Sequence, residues 1–412
     1  MEEGIERRTF LGLATGLLGG GLTETRGQAP SAQERPLRRR TDVSIHGDGF
    51  VINGEPTYKG RKYNGRKVEG LLMNVRAVQA IFDDLNPETR SRWIYPDTKT
   101  WDPERNTNEF VAALPEWRRN GLLAISLNLQ GGTPGGFGRG GARGGPGGPA
   151  GQIGTPPGGR GRGPARPLLE NTAISPNGSL RPAYMARLAR VIDKADELGM
   201  VVILGYFYFG QDQRVQDEAS VRLAVVNATN WLFDRGYTNV LVEVNNECNE
   251  GYNHEILRPG RITELIELVR NTARNGRRFF VSTSWPGTDS RIGVRESPDT
   301  PATAAVTGAS DFVLLHGNGP ADTGVVSKMI RATRGFSTFR TMPVLINEDP
   351  NFNFNEPGNH LFTALDEYVS WGYYEQGQNN YQDGYQSPPV NWGINTENKR
   401  QFFAKVREIT GA

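Results

Sequence analysis

Between residues 41 and 412, short apolar runs alternate with longer stretches whose apolar residues recur at helical spacing. The short runs are 68–73, 122–129, 201–207, 240–244, 279–283, 312–315, 343–346 and 368–374. Several are dominated by β-branched or aromatic residues, as in strands buried on both faces. The longer stretches, 108–119, 180–198, 219–235 and 261–274, carry an apolar stripe; Leu188, Val191, Ile192 and Ala195 share one helical face. Gly199 and Gly236 stand where a helix should stop, each just before a strand. Strands alternating with helices imply βαβ units and a parallel sheet. Eight repeats predict an α/β fold of the (β/α)₈ TIM-barrel type, and no G-x-G-x-x-G follows the first strand to favour a dinucleotide-binding sheet. Ahead of the repeats, Asn53-Gly54 between apolar residues predicts a β-hairpin over 50–58.

Two segments break this pattern. Residues 131–166 are about half glycine, with proline and arginine but no acid, so they lack the apolar residues to build a core and read as a disordered insertion after the second strand. Residues 1–32 open with Arg7-Arg8-Thr9-Phe10-Leu11, continue as a short Gly-rich apolar run and end on small residues at 29–32. That order is similar to a bacterial twin-arginine export signal. It predicts a periplasmic or extracellular protein with 1–32 as signal, 33–40 as linker and 41–412 as the barrel domain. The apolar run is too short to predict stable membrane insertion once the signal is removed.

Composition narrows the function classes. Lys plus Arg number 47 and Asp plus Glu 45, a net charge of +2, so no general attraction to nucleic acid is expected. The single cysteine, Cys248, excludes an intramolecular disulfide. The four histidines, His46, His254, His316 and His360, form none of the close pairs of a zinc site; neither a metal nor another cofactor is expected.

The chemistry gathers at two strand ends. Residues 239–249 run through a strand into Asn246-Glu247, and residues 342–349 run through another into Glu348-Asp349. Counted as strands four and seven, they lie across the mouth of a barrel, so their carboxyls can converge. Glycoside hydrolysis needs such a pair: a protonated acid for the leaving oxygen and a carboxylate that attacks or activates water. Sugars also present C–H faces to aromatic rings, which singles out Trp285, Trp371, Tyr206 and Tyr208 near strand ends, and Asn128 for hydroxyls. His316 is placed at the rim to tune a carboxylate or to bond backbone.

In these features the chain resembles the large (β/α)₈ glycoside hydrolase clan that includes cellulases, mannanases and β-galactosidases. Asn246-Glu247 and Glu348 stand where that clan carries its strand-four Asn-Glu and strand-seven Glu. The opening hairpin and Gly70-Leu-Leu-Met-Asn74 resemble the clan's start. The resemblance implies an oligo- or polysaccharide substrate, with Glu247 as acid/base, Glu348 as nucleophile, and Asn246 bonding the sugar 2-OH. Other clan positions differ. Residues 126–130 lack an Arg after strand two, Tyr206-Phe207-Tyr208 stands in place of Asp-x-His, and His316-Gly317-Asn318 stands in place of His-x-Tyr.

Alternatives stand beside each reading. Asp349 is a rival to Glu348 as second carboxylate, and Glu243 reads as an interior acid. Cys248 reads as a packed, inert thiol. At the level of function, a glycan-binding barrel without catalysis and a metal-dependent sugar isomerase or epimerase fit the same fold.

Overall fold

The computed structural model describes residues 39–132, 168–285, 301–318, 321–377 and 381–412, with Arg38–Ala412 as one compact unit. The export-signal reading of 1–32 therefore lies outside the described residues, as does the 131–166 insertion apart from Gly131 and Gly132.

Eight parallel strands follow one another around a ring. They are Asn74–Arg76, Ala124–Asn128, Val201–Phe207, Val240–Asn245, Phe280–Ser282 continued by Ser284–Trp285, Val313–His316, Val344–Glu348 and Gly372–Tyr373. Each pairs with the next, and the eighth pairs back onto the first through Gly372↔Asn74. Bridges Leu345↔Ser370 and Asp349↔Tyr373 link the seventh strand to the eighth and close the barrel. The fifth strand is broken at Thr283: its first half pairs with the fourth strand and its second half with the sixth.

A helix follows every strand, the second to fourth being Pro182–Glu197, Glu218–Asp234 and Ile262–Asn271. Their starts are written in the sequence. Asp102 accepts from Arg105 N at 2.9 Å and Asp217 from Ser220 N at 2.7 Å, each satisfying an otherwise unpaired N–H of a first turn. Gly199 and Gly236, at φ +70° and +66°, take the left-handed conformation that ends a helix before the next strand.

The hairpin forms as expected, with Asn53 and Gly54 both at positive φ and Gly49–Ile52 pairing with Glu55–Pro56. A further strand, Val43–His46, extends it. One expectation moves: the first barrel strand is Asn74–Arg76, not 68–73. Gly70 at φ +87° turns the chain there, and Val68 and Leu71 pack into the core as loop residues.

Side-chain alternation divides the core in two. Val240, Val242 and Val244 point outward to the helices, while Leu241 joins Leu72, Ala124, Val201, Ile203, Phe312, Leu314 and Leu345 inside the barrel. Val43 and Phe50 of the hairpin plug this interior from below, Phe50 meeting Phe312 edge-on at 6.2 Å. Among the described residues, no helix is long and apolar enough to cross a membrane.

Candidate active site

Above that apolar plug the inward positions turn polar: Asn74, Arg76, Ser126, Asn128, Glu243, His316 and Asn347 are all buried. Glu247 and Glu348 sit on top of this layer, 7% and 4% exposed. One oxygen of each carboxylate and a ring nitrogen of His316 lie within 4.8 Å of one another. The two carboxylates, 101 residues apart in sequence, meet because strands four and seven face each other across the ring.

Each is aimed by a local irregularity. Between the sixth and seventh strands the register slips, from Leu315↔Ile346 to His316↔Glu348, and places Glu348 beside His316. Such a bulge re-aims a side chain at a strand end. Glu247 has φ +49°, a left-handed backbone that is uncommon for a residue with a side chain. Its N–H donates to Ser284 Oγ at 2.8 Å.

Buried charges and donors surround Glu348. Arg76, 1% exposed, reaches up from the first strand; its Nε lies 2.5 Å from Glu348 Oε2, and its Nη2 donates to Asn246 Oδ1. Asn318 Nδ2 donates to Glu348 Oε1 at 2.9 Å and to Glu247 Oε1 at 3.2 Å. Burial alone would raise the Glu348 carboxyl, but Arg76, His316 and the Asn318 amide outweigh it and hold Glu348 below the usual carboxylate range. His316 Nδ1 lies 2.7 Å from Glu247 Oε1 and 3.7 Å from Glu348 Oε2. Burial pushes that imidazole down, yet the two carboxylates win and its pKa is raised.

Arg76 is the site residue that sequence reading missed. The clan resemblance directs attention to an Arg after strand two, whereas here the guanidinium comes from strand one. The signal was present in Asn74-Val75-Arg76, a charged residue two positions after an inward one at a strand's C-terminal end.

Of the other expected residues, Asn246 is in place, with its Oδ1 on Arg76 and its Nδ2 without a partner among the described residues. Asn128 is fully buried and inward, over Gly205, where a Cβ would stand 2.6 Å from its amide; neither of its amide atoms has a described partner. Tyr208 is half-buried beside Gly132, where a Cβ would come within 2.7 Å of its hydroxyl. Burial raises its phenol, and Glu348 adds to the effect, as both do for Tyr374, a wall residue not singled out from sequence.

Tyr206 and Trp371 do not line the site. Both are fully buried between barrel and helices: Tyr206 pairs its hydroxyl with Thr229 at 3.1 Å, and Trp371 packs on Phe354 and Phe402. The cause is alternation, since the inward neighbours are Gly205, Ser370 and Gly372. Trp285 ends the fifth strand at 8% exposure and joins the same outer cluster. Asp349 is equally committed elsewhere: it is 0% exposed and accepts from His360 Nδ1 and Trp371 Nε1, each at 2.9 Å. Glu243 is an interior acid, its Oε2 3.5 Å from Asn347 Nδ2, and burial raises its pKa. Burial likewise pushes the Cys248 thiol up, away from a reactive thiolate.

Glu247, His316 and Glu348 match the ligand count of a divalent-metal site. Their surroundings do not fit one. The Arg76 guanidinium already faces Glu348, and the Asn318 amide turns its donors toward both carboxylates, so positive ends point where a cation would sit.

No family model matches the sequence, and no curated relative does. Solved structures with the same fold include a glycoside hydrolase at 7% identity and TM-score 0.50, covering 89% of this chain and 74% of that one. A glycoside hydrolase family 5 protein from Bacteroides vulgatus ATCC 8482 matches at 10% identity and TM-score 0.49, covering 89% of this chain and 70% of that one. The endo-1,4-β-mannanase of Rhizomucor miehei matches at 10% identity and TM-score 0.45, covering 80% and 89%. At these identities the likeness is one of fold: this chain has the α/β barrel seen in glycoside hydrolases.

Proposed function

We propose that the chain is an exported glycoside hydrolase acting by retaining double displacement, with Glu348 as nucleophile and Glu247 as acid/base. The observation that carries this reading is the buried carboxylate pair, with one oxygen of each inside a 4.8 Å cluster. Inverting pairs stand roughly 6.5–9.5 Å apart to admit a water, and retaining pairs about 5–5.5 Å. The electrostatics support the division of roles. Glu348 is kept ionised by Arg76, as a nucleophile needs, and Glu247 stands beside it with its Oε1 2.7 Å from His316 Nδ1.

In the first step a Glu348 oxygen bonds to the anomeric carbon as the glycosidic bond breaks, and Glu247 gives its proton to the departing oxygen. In the second, Glu247 takes a proton from water, whose oxygen bonds to the anomeric carbon and releases Glu348. Arg76 and Asn318 neutralise the charge returning to Glu348. The Asn246 amide, fixed through its oxygen by Arg76, offers its N–H groups to a sugar hydroxyl. Asn128 and Tyr208 are further polar contacts for the oligo- or polysaccharide.

A panel of aryl glycosides and polysaccharides tests the reading: hydrolysis by the wild-type chain, lost in Glu348→Gln, supports it. Binding without hydrolysis would instead favour a glycan-binding barrel, and turnover that depends on an added divalent metal an isomerase or epimerase. Export by the twin-arginine route rests on residues 7–32 of the sequence. Replacing Arg7 and Arg8 by Lys should retain the protein in the cytoplasm, and continued export would remove that assignment.

A further inference from the structure

We propose that Ser284 is a positioning residue for the proton donor: its hydroxyl holds Glu247 in the left-handed backbone conformation that aims the acid/base carboxyl. The inference rests on the reading of Glu247 given above. Glu247 lies at φ +49° between Asn246 and Cys248, and no glycine relieves the turn. Something outside the turn must hold it. The fifth strand does so twice, Ser284 Oγ accepting the Glu247 N–H at 2.8 Å and Ser284 O accepting the Cys248 N–H at 3.0 Å.

The break in the fifth strand makes this reach possible. Its ladder with the fourth strand ends at Ser282↔Glu243. Thr283 then bonds the end of strand four through its side chain, Oγ1 donating to Asn245 O at 2.8 Å. Ser284, fully buried and inward like Ser282, comes next and meets the first residues of the loop. Tyr252 closes the turn from the far side, its hydroxyl donating to Asn246 O at 2.5 Å.

Ser284 also bonds the interior Glu243 carboxyl, but of the two site carboxyls the consequence falls on Glu247. With the turn fixed, Glu247 Oε1 meets His316 Nδ1 at 2.7 Å and Asn318 Nδ2 at 3.2 Å. Removing the Ser284 hydroxyl leaves a buried N–H unpaired, and the favoured response is for Glu247 to leave the left-handed region. Glu348 is held by other elements, so the nucleophile stays in place. The defect in activity is therefore in proton transfer, whatever stability is lost with the Ser284 bond to Glu243.

The test pairs Ser284→Ala with Ser284→Thr, which keeps a hydroxyl. In Ser284→Ala, kcat/KM, which reads the first step, should fall about 10–100-fold for glycosides with poor leaving groups and less than about 3-fold for activated aryl glycosides, part of what acid catalysis contributes. Ser284→Thr should recover most of the loss. Amide hydrogen exchange at Glu247 should lose protection in the alanine variant alone. An equal loss of kcat/KM for all leaving groups, or unchanged protection at Glu247, overturns the proposal. If the alanine variant does not fold, Ser284→Cys, of similar size but a weak acceptor, carries the same comparison. The exchange measurement needs no substrate. A wild-type chain that cleaves no glycoside would thus sink the functional reading and leave the positioning claim still to be decided by exchange.

Discussion

The barrel interior is two regions stacked on one another, and they are built to opposite rules. The lower region is apolar and closed: Leu72, Ala124, Val201, Leu241, Phe312, Leu314 and Leu345, sealed by Val43 and Phe50. The upper region is as deeply buried but polar, and several of its atoms, including Asn128 Oδ1 and Nδ2, Arg76 Nη1, Asn246 Nδ2 and His316 Nε2, have no hydrogen-bond partner among the described residues. A buried polar atom left unpaired costs about 1–3 kcal/mol, so packing alone would not select such a layer. The lower region stabilises the barrel. The upper one holds charges and unpaired donors at the expense of stability, as the proposed sugar site requires.

The sharpest way to break this contrast is at the top. Glu348→Gln should abolish turnover, because an amide cannot form the ester intermediate, measured as kcat on an activated aryl glycoside. Glu247→Gln should cost about 10²–10⁴ in kcat/KM for poor leaving groups and far less for good ones, read as a change in leaving-group dependence. At the bottom the effect should reverse. Leu241→Ala should lower unfolding stability by about 2–5 kcal/mol in urea titration while kcat at 25 °C stays within about 3-fold. A Leu241→Ala protein that stays folded but loses activity would mean that the two regions are not separable.

Acidity sharpens the comparison further, since only the upper region titrates. Glu348 has its folded pKa lowered from 4.5, so its contribution to stability is present above about pH 4.5 and is lost as pH falls through the depressed value. His316 has its folded pKa raised from 6.5, so its contribution is complete below about pH 6.5 and is lost as pH rises through the raised value. Both act fully between those limits. Melting temperature against pH should therefore show a smaller alkaline decline in His316→Gln and keep its acid one. The smallest effect is expected at Tyr206. Because its ring lies outside the barrel, Tyr206→Phe should leave KM unchanged and cost about 1 kcal/mol for the lost bond to Thr229.

Much of this was legible in the sequence, and the failures have a common cause. The strand count, the Asn53-Gly54 hairpin and the helix-ending glycines follow from local patterning. Glu247 and Glu348 were legible as acids at two strand ends. What patterning missed was direction. Tyr206 lies in strand three and Trp371 just before strand eight, but each follows an inward position, Gly205 and Ser370, and so faces the helices. The adjacent acids Glu348 and Asp349 differ only by which way a bulge turns them, and the register slip at Leu315/His316 is a tertiary event. Arg76 was overlooked because its strand begins only where the apolar run at 68–73 that announced it ends.

The central claim, that Glu348 forms a covalent bond to the sugar while Glu247 passes the proton, is tested most directly by NMR of the first-formed product from a cleaved glycoside. The account predicts that the anomeric configuration of the substrate is retained before mutarotation. An inverted first product would contradict it, and would make Glu348 the base that activates water.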